Sequence, residues 1–327
     1  MRLGQFTCIL MACGGVALAS TAAQADMGTA PVTQGIIVGS EGGFLYQSLE
    51  DINGHGVRPF GGPIGEAMVS PETGWFTGSM IGYASQQPML FNFTRIEGYL
   101  LFGRTEDSVS SSAPPASDLT LKTVDGAVNV VGGRYGKTTV ERRTYEGGLR
   151  FERDEAIDPQ TNLTWVFQPF LRFMDEDTDT AVTNCCTAFR NADVNNRMVG
   201  VIVAIEPEYW FNSGMAIVGR AGVGFYGYDS DGHFRSYSQS PTNPDPFAAS
   251  VTDDASGVGF RGSLGASLKF VITSSTRFET FAEADYFSTV AYGVFSNANP
   301  TDGTPSRIET DDMWELRTGA RITMSLD

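Results

Sequence analysis

The chain has 327 residues, with 38 acidic and 22 basic side chains and a formal net charge of −16 at pH 7. That balance excludes nucleic acid as a partner, because neutralising phosphates needs clustered lysine and arginine. Cys8, Cys13, Cys185 and Cys186 are its only cysteines, too few for a disulfide-stapled small fold.

Met1-Arg2, the mostly apolar or small run from Phe6 to Ala19, and Ala23-Gln24-Ala25 together predict a signal peptide over 1–25. Cleavage is expected between Ala25 and Asp26. A lipoprotein box at Leu10-Met11-Ala12-Cys13-Gly14 fits less well, because apolar sequence continues past Cys13 to Leu18. No later stretch has the roughly twenty apolar residues of a membrane helix.

A short polar lead, 26–34, precedes the first predicted strand, Gly35 to Leu49, which alternates Ile36, Val38, Phe44 and Tyr46 with Glu41 and Gln47. Asp51 to Gly74, rich in glycine and proline, reads as a long loop. Strands follow at 75–84 and 91–103, separated by a short turn at Gln86-Gln87-Pro88. The 104–136 segment is a long loop in which Leu119 to Val131 suits a small hairpin. The fourth strand, 138–153, sets Arg142, Glu146, Arg150 and Glu152 against Tyr145, Leu149 and Phe151. After a turn at 154–161, strand 163–174 alternates Leu163, Trp165, Phe167, Leu171 and Phe173 with Thr164, Gln168 and Arg172; Pro169 weakens its pairing locally. A long acidic loop at 175–194, a strand at 196–208 and a turn at 210–213 come next. Strand 215–228 carries Arg220, and 229–255 reads as another long loop. Strand 258–271 carries Arg261 and Lys269, Thr273-Ser274-Ser275 is a tight turn, and strand 277–292 carries Glu279, Glu283 and Asp285. A loop at 293–311 leads to the closing strand, 314–327, in which Arg317 and Arg321 alternate with apolar residues over fourteen positions. That exceeds the usual five or six and suits a bilayer-crossing strand.

Long and short connections alternate strictly, which puts all the long ones on one side. On this pattern, over about 35–327, the sequence resembles bacterial outer-membrane β-barrel proteins of the porin-like class. The resemblance implies an all-β fold, a transmembrane antiparallel up-and-down barrel of ten strands, or twelve if 104–136 supplies two more. It further implies short periplasmic turns, long extracellular loops and both termini in the periplasm of a Gram-negative envelope. The lipid bilayer, lipopolysaccharide and the outer-membrane assembly machinery follow as partners; the oligomeric state is left open. Members usually end in phenylalanine or tryptophan, whereas this chain ends Leu326-Asp327.

A ten-strand barrel is narrow, so inward charges should meet across its lumen. The expected lumen-lining network is Arg142, Glu146, Arg150, Arg220, Arg261, Lys269, Glu279, Glu283, Asp285, Arg317 and Arg321. In it an acidic strand lies between two basic ones. Such pairs either plug the barrel or line a narrow path for ions and small solutes. Omptin proteases have a similar architecture, with paired aspartates and an Asp-His pair at the outer rim. Asp229, Asp231 and His233, with Asp175 and Asp177, are the nearest echo, but the omptin motifs are missing. His55 reads as an exposed loop histidine, unsuited to a serine-histidine site. The acidic loops match no twelve-residue calcium loop, and no metal or cofactor is expected. Cys185-Cys186 could serve as a loop disulfide or an intermolecular link. The expected function is a barrel without enzymatic activity, either a narrow passive pore or a structural envelope protein. The alternative is an adhesion or recognition module acting through the long acidic loops.

Overall fold

The computed structural model describes residues 34–58, 65–113, 118–126, 129–184, 187–240, 243–296 and 303–326. The predicted signal peptide, its cleavage point at Ala25 and Asp26, and Cys185-Cys186 lie outside the described residues. The strands run in the order β1 (Gly35–Ser48), β2 (Ile52–Arg58), β3 (Gly65–Val69), β4 (Thr73–Ala84), β5 (Arg95–Ser112), β6 (Asp118–Lys122), β7 (Asn129–Ala156), β8 (Thr161–Asn184), β9 (Thr187–Asn212), β10 (Met215–Ser240), β11 (Asn243–Val271), β12 (Thr276–Val294) and β13 (Arg307–Leu326).

Ten of these strands form one antiparallel ring in the order β7-β5-β4-β1-β13-β12-β11-β10-β9-β8, and β8 pairs back onto β7. The first and last strands meet from Ile36 opposite Leu326 to Ser48 opposite Trp314. The remaining strands make a small sheet, β3-β2-β6, attached through β6 to the start of β7. The 104–136 segment thus supplies a hairpin, with Leu119 opposite Gly133, and no further ring strand. Pro169 has the expected local effect, since the β7–β8 ladder skips from Gly148 opposite Phe170 to Phe151 opposite Phe167.

The segments expected to be long loops, 51–74, 104–136, 175–194, 229–255 and 293–311, carry strand over much of their described length. The reason is visible in β8. Inward positions Met174, Glu176, Thr178, Thr180 and Val182 stay buried at a strict period of two, while the outward positions between them become Asp175, Asp177 and Asp179. In β8 beyond Met174 both faces are mostly polar or small, so hydropathy stops alternating while pairing continues. The 29 residues of β11 span roughly 95 Å at about 3.3 Å each. Even at a 45° tilt that is about twice the ~30 Å hydrocarbon core of a bilayer.

The ring is inside out relative to a soluble protein. Phe44, Leu100, Phe225 and Val258 are 64–78% exposed on its outer face, whereas Arg142 and Arg172 are 0% exposed within it. Aromatic contacts mark both borders of the outer apolar band. Trp75, Phe102 and Tyr145 stack in sequence at 5.3 and 5.0 Å on one border, and Tyr286 meets Trp314 at 5.0 Å. Tyr209 and Phe211 meet at 5.4 Å near the short turns. Polar groups inward, apolar outward and aromatic girdles between are the arrangement that lipid selects.

Candidate functional site

The inward faces of the ring strands enclose a polar chamber of about 540 Å³ at the short-turn end. Parity places its walls: residues two apart on one strand point the same way, so each predicted charge brings its inward neighbours with it. Ten of the predicted lumen residues line the chamber. Arg142 is the exception. It lies deeper towards the far end, buried, with its Nε donating to Glu176 Oε2 at 2.8 Å.

At the short-turn side the charges pair around the wall. Arg150 bridges Glu152 and Glu206, and Arg220 donates to Glu206 Oε1 at 2.6 Å and Gln168 Oε1 at 2.9 Å. Arg321 joins Glu41 at 2.6 Å and Glu279 at 3.5 Å. Lys269 stands opposite Glu279 in register, yet its Nζ lies 2.7 Å from Glu208 on β9. The flexible lysine crosses β10 to a free carboxylate, while Arg321 takes Glu279.

Deeper in, the network becomes a more deeply buried layer. Glu146 Oε2 accepts from Arg172 at 3.2 Å and Arg261 at 3.0 Å, and Glu146 Oε1 accepts from the Tyr99 hydroxyl at 3.0 Å. Asp285 Oδ2 lies 3.0 Å from Arg261 and 3.1 Å from Arg317, which also reaches Glu283 at 3.0 Å. Arg172 and Gln47 both donate to Glu315 Oε2, which is 2.9 Å from Gln47 Nε2. The expected acidic strand between basic neighbours is therefore present as Asp285 and Glu283 between Arg261 and Arg317. Arg172, Glu315, Glu206, Glu208 and Glu41 complete it and were absent from the predicted network. The signal that could have found them is parity: Glu315 lies two positions from Arg317, Arg172 and Glu41 face Glu146 and Arg321 in register, and Glu206 and Glu208 share one face of β9.

Aromatic rings cap this layer on its far side. The Arg172 guanidinium lies 4.6 Å from the centre of the Phe287 ring, and Arg261 lies 4.8 Å from both Phe287 and Phe170. Behind them a buried apolar cluster, including Phe170, Met174, Met198, Ile202, Tyr226, Phe287 and Met313, fills the ring. A second cluster built around Phe234, Phe295, Ile52 and Val140 follows.

The far end corrects the expectation for His55. It is 1% exposed, not a loop histidine in solvent, and its Nδ1 lies 3.2 Å from Thr138 Oγ1. Gly136 of β7 makes room for it, because a β-carbon there would fall 2.7 Å from the imidazole ring. Burial, then the nearby Arg190 charge, holds His55 below its usual range.

The Asp229–His233 segment is strand β10, not loop. His233 Nε2 is 3.9 Å from Asp231 Oδ2, beyond hydrogen-bond reach, and the histidine is exposed on the outer face. On β8, two strands away, partial burial and then Asp193 push the carboxyls of Asp175 and Asp177 above the usual range. No group of three metal-ligating side chains is close enough to hold a metal ion among the described residues.

No protein-family model matches the sequence, and no curated protein is similar to it. Among solved structures the chain is similar to the outer membrane protease OmpT from Escherichia coli, at 8% identity and a TM-score of 0.49, covering 92% of this chain and 100% of that one. It is also similar to a Pseudomonas aeruginosa FadL homologue at 10% identity and a TM-score of 0.26, over 90% and 91% of the two chains. The Pseudomonas putida toluene transporter TodX matches at 6% and 0.25, over 89% and 90%. These are bacterial outer-membrane β-barrel proteins, and the chain resembles that class without a narrower family. With an outer membrane protease among these structures, the expectation of a barrel without enzymatic activity is withdrawn, and enzymatic activity is left open.

Proposed function

We propose that this chain is an integral outer-membrane barrel whose lumen is sealed, acting as a structural component of the envelope and not as an open passive pore. The reading of its location rests on the outward apolar band and the aromatic borders, and on the export signal that the sequence predicts over 1–25. With its short turns and both termini in the periplasm, the long strand extensions stand on the outer side of the membrane. Its partners on this reading are the bilayer and lipopolysaccharide, and the outer-membrane assembly machinery during insertion.

One observation carries the sealed lumen: Phe287 and Phe170 cover the buried arginines Arg172 and Arg261, with a packed apolar cluster behind them. An ion entering the chamber meets a buried, ion-paired layer and then apolar side chains, where an isolated charge is strongly disfavoured. Planar-bilayer recording tests this directly. The wild-type protein should show no discrete conductance, and the double variant Phe170→Ala/Phe287→Ala should show steps. Conductance in the wild type refutes the sealed lumen.

A further inference from the structure

The charged side chains that line the chamber are ion-paired within 4.0 Å, with two exceptions among the described residues, Arg277 and Asp154. Arg277 also makes no side-chain hydrogen bond. It is the second residue of β12, and Asp154 lies two residues before the end of β7, so both stand at the short-turn mouth. In the ring order β7 and β12 are five strands apart by either route. An unpaired cation and an unpaired carboxylate therefore face each other from opposite walls of the entrance.

Asp154 is held ready. Thr164 Oγ1 donates to its Oδ1 at 2.7 Å and Thr94 Oγ1 to its Oδ2 at 3.2 Å, and a carboxylate so held still accepts further hydrogen bonds. The charges that act on Arg277 are those of Arg95, Glu208, Asp154 and Glu279. Arg95 is engaged by Glu152, Glu208 by Lys269 and Glu279 by Arg321. A simple anion at Arg277 would meet the acids around it, and a simple cation at Asp154 would meet Arg277 and Arg95. A molecule bearing both charges answers both walls at once. We propose that the chamber mouth binds a small zwitterionic solute with one carboxylate and one ammonium group, such as a free α-amino acid. Its carboxylate rests on Arg277 and its ammonium on Asp154. The proposal rests on the reading of the lumen as a sealed chamber, since the solute enters and leaves by the same mouth.

The test is calorimetric titration of the full chain, folded in detergent, with alanine, with propionate, which lacks the ammonium, and with ethylamine, which lacks the carboxylate. Alanine should bind saturably, and each analogue about tenfold or more weaker. Arg277→Gln should lower alanine affinity to the level of ethylamine, and Asp154→Asn to the level of propionate. Arg277→Lys should retain most of the affinity. Heat-modifiable gel mobility reports whether each variant is folded. If a single variant fails to fold, the exchanged pair Arg277→Asp/Asp154→Arg restores charge balance and should again prefer alanine over both analogues. The proposal is overturned if alanine shows no saturable binding. It is equally overturned if propionate binds as tightly as alanine, or if both single variants bind alanine unchanged. Conductance in the wild-type protein would refute the sealed lumen and leave this titration standing, so the two failures are distinguishable.

Discussion

Replacing Arg172 by glutamine should cost about 3–5 kcal/mol of folding stability, the usual penalty for breaking a buried ion pair from one side. The figure follows from what remains. Arg172 is 0% exposed and joins Glu146 to Glu315. Without it, Glu315 keeps Gln47 at 2.9 Å and Arg317 at 3.6 Å, and Glu146 keeps Arg261 at 3.0 Å. Arg261 and Arg317, with Arg321 3.7 Å from Glu283, are then left to offset Glu146, Glu283, Asp285 and Glu315 in a largely buried layer. Glu315→Gln alone should cost less, about 2 kcal/mol, since Arg172 retains Glu146 at 3.2 Å. Combined, the two changes remove one charge of each sign, and the double variant should be no less stable than Arg172→Gln. That non-additivity is a coupling of about 2 kcal/mol. Urea-unfolding midpoints in lipid vesicles at unchanged m-value give all three numbers. Costs that add to within about 0.5 kcal/mol would show that Arg172 and Glu315 do not act on each other, and the buried ion layer would be refuted.

Ile322 is 43% exposed on the outer face, while Arg321 points inward to Glu41. Ile322→Arg should therefore cost about 2–4 kcal/mol in a bilayer and impair assembly, scored by heat-modifiable gel mobility. Arg321→Ala, in the water-accessible chamber, should be milder; the reverse order would invert the facing of β13. His55 gives a pH signature. Its folded pKa lies below the unfolded value of about 6.5, so the stability it confers is present above that value and is lost as pH falls towards the folded pKa. The protection factors of amides in β2 and β6, the intrinsic exchange rate over the observed one at each pH, should fall as pH drops below about 6.5, and His55→Gln should remove that dependence. Protection that is independent of pH in the wild type would contradict the burial of this imidazole.

The sequence showed the ring itself because lipid enforces a simple rule on it. Where the outer face is hydrocarbon-facing, as from Leu163 to Phe173, apolar residues recur every second position against Thr164 and Arg172. The same rule gave the inward direction of Arg220, Arg261, Glu283 and Arg317. It fails beyond the band. At Asp175 and Asp177 no face is apolar, and only Thr178, Thr180 and Val182 keep a strand-like composition, so the extensions of β8 to β11 read as loops. The seal was also hidden. Phe170 and Phe287 occupy inward positions where the alternation demands polar residues, and nothing local distinguishes such a residue from a lapse in pattern. Its role emerges only when Arg172 and Arg261, distant in sequence, arrive against its face. His55 was misread because its burial depends on a side chain that is absent, at Gly136.

The pairing of β1 with β13 sets the order of events during biogenesis. Residue 36 cannot find residue 326 until every strand between them has been made and exported. Until then two strand edges stand open with their amide and carbonyl groups unpaired, a template for pairing with any other extended chain. Contacts so remote in sequence are slow to form because the intervening chain must first be ordered. The neighbouring hairpins, such as β9 with β10 through the tight turn before Met215, carry no such delay. Local hairpins should therefore assemble first and the β1–β13 seam last. The arrival of β13 makes the cylinder, and a chain truncated before Trp314 should remain an open, aggregation-prone sheet.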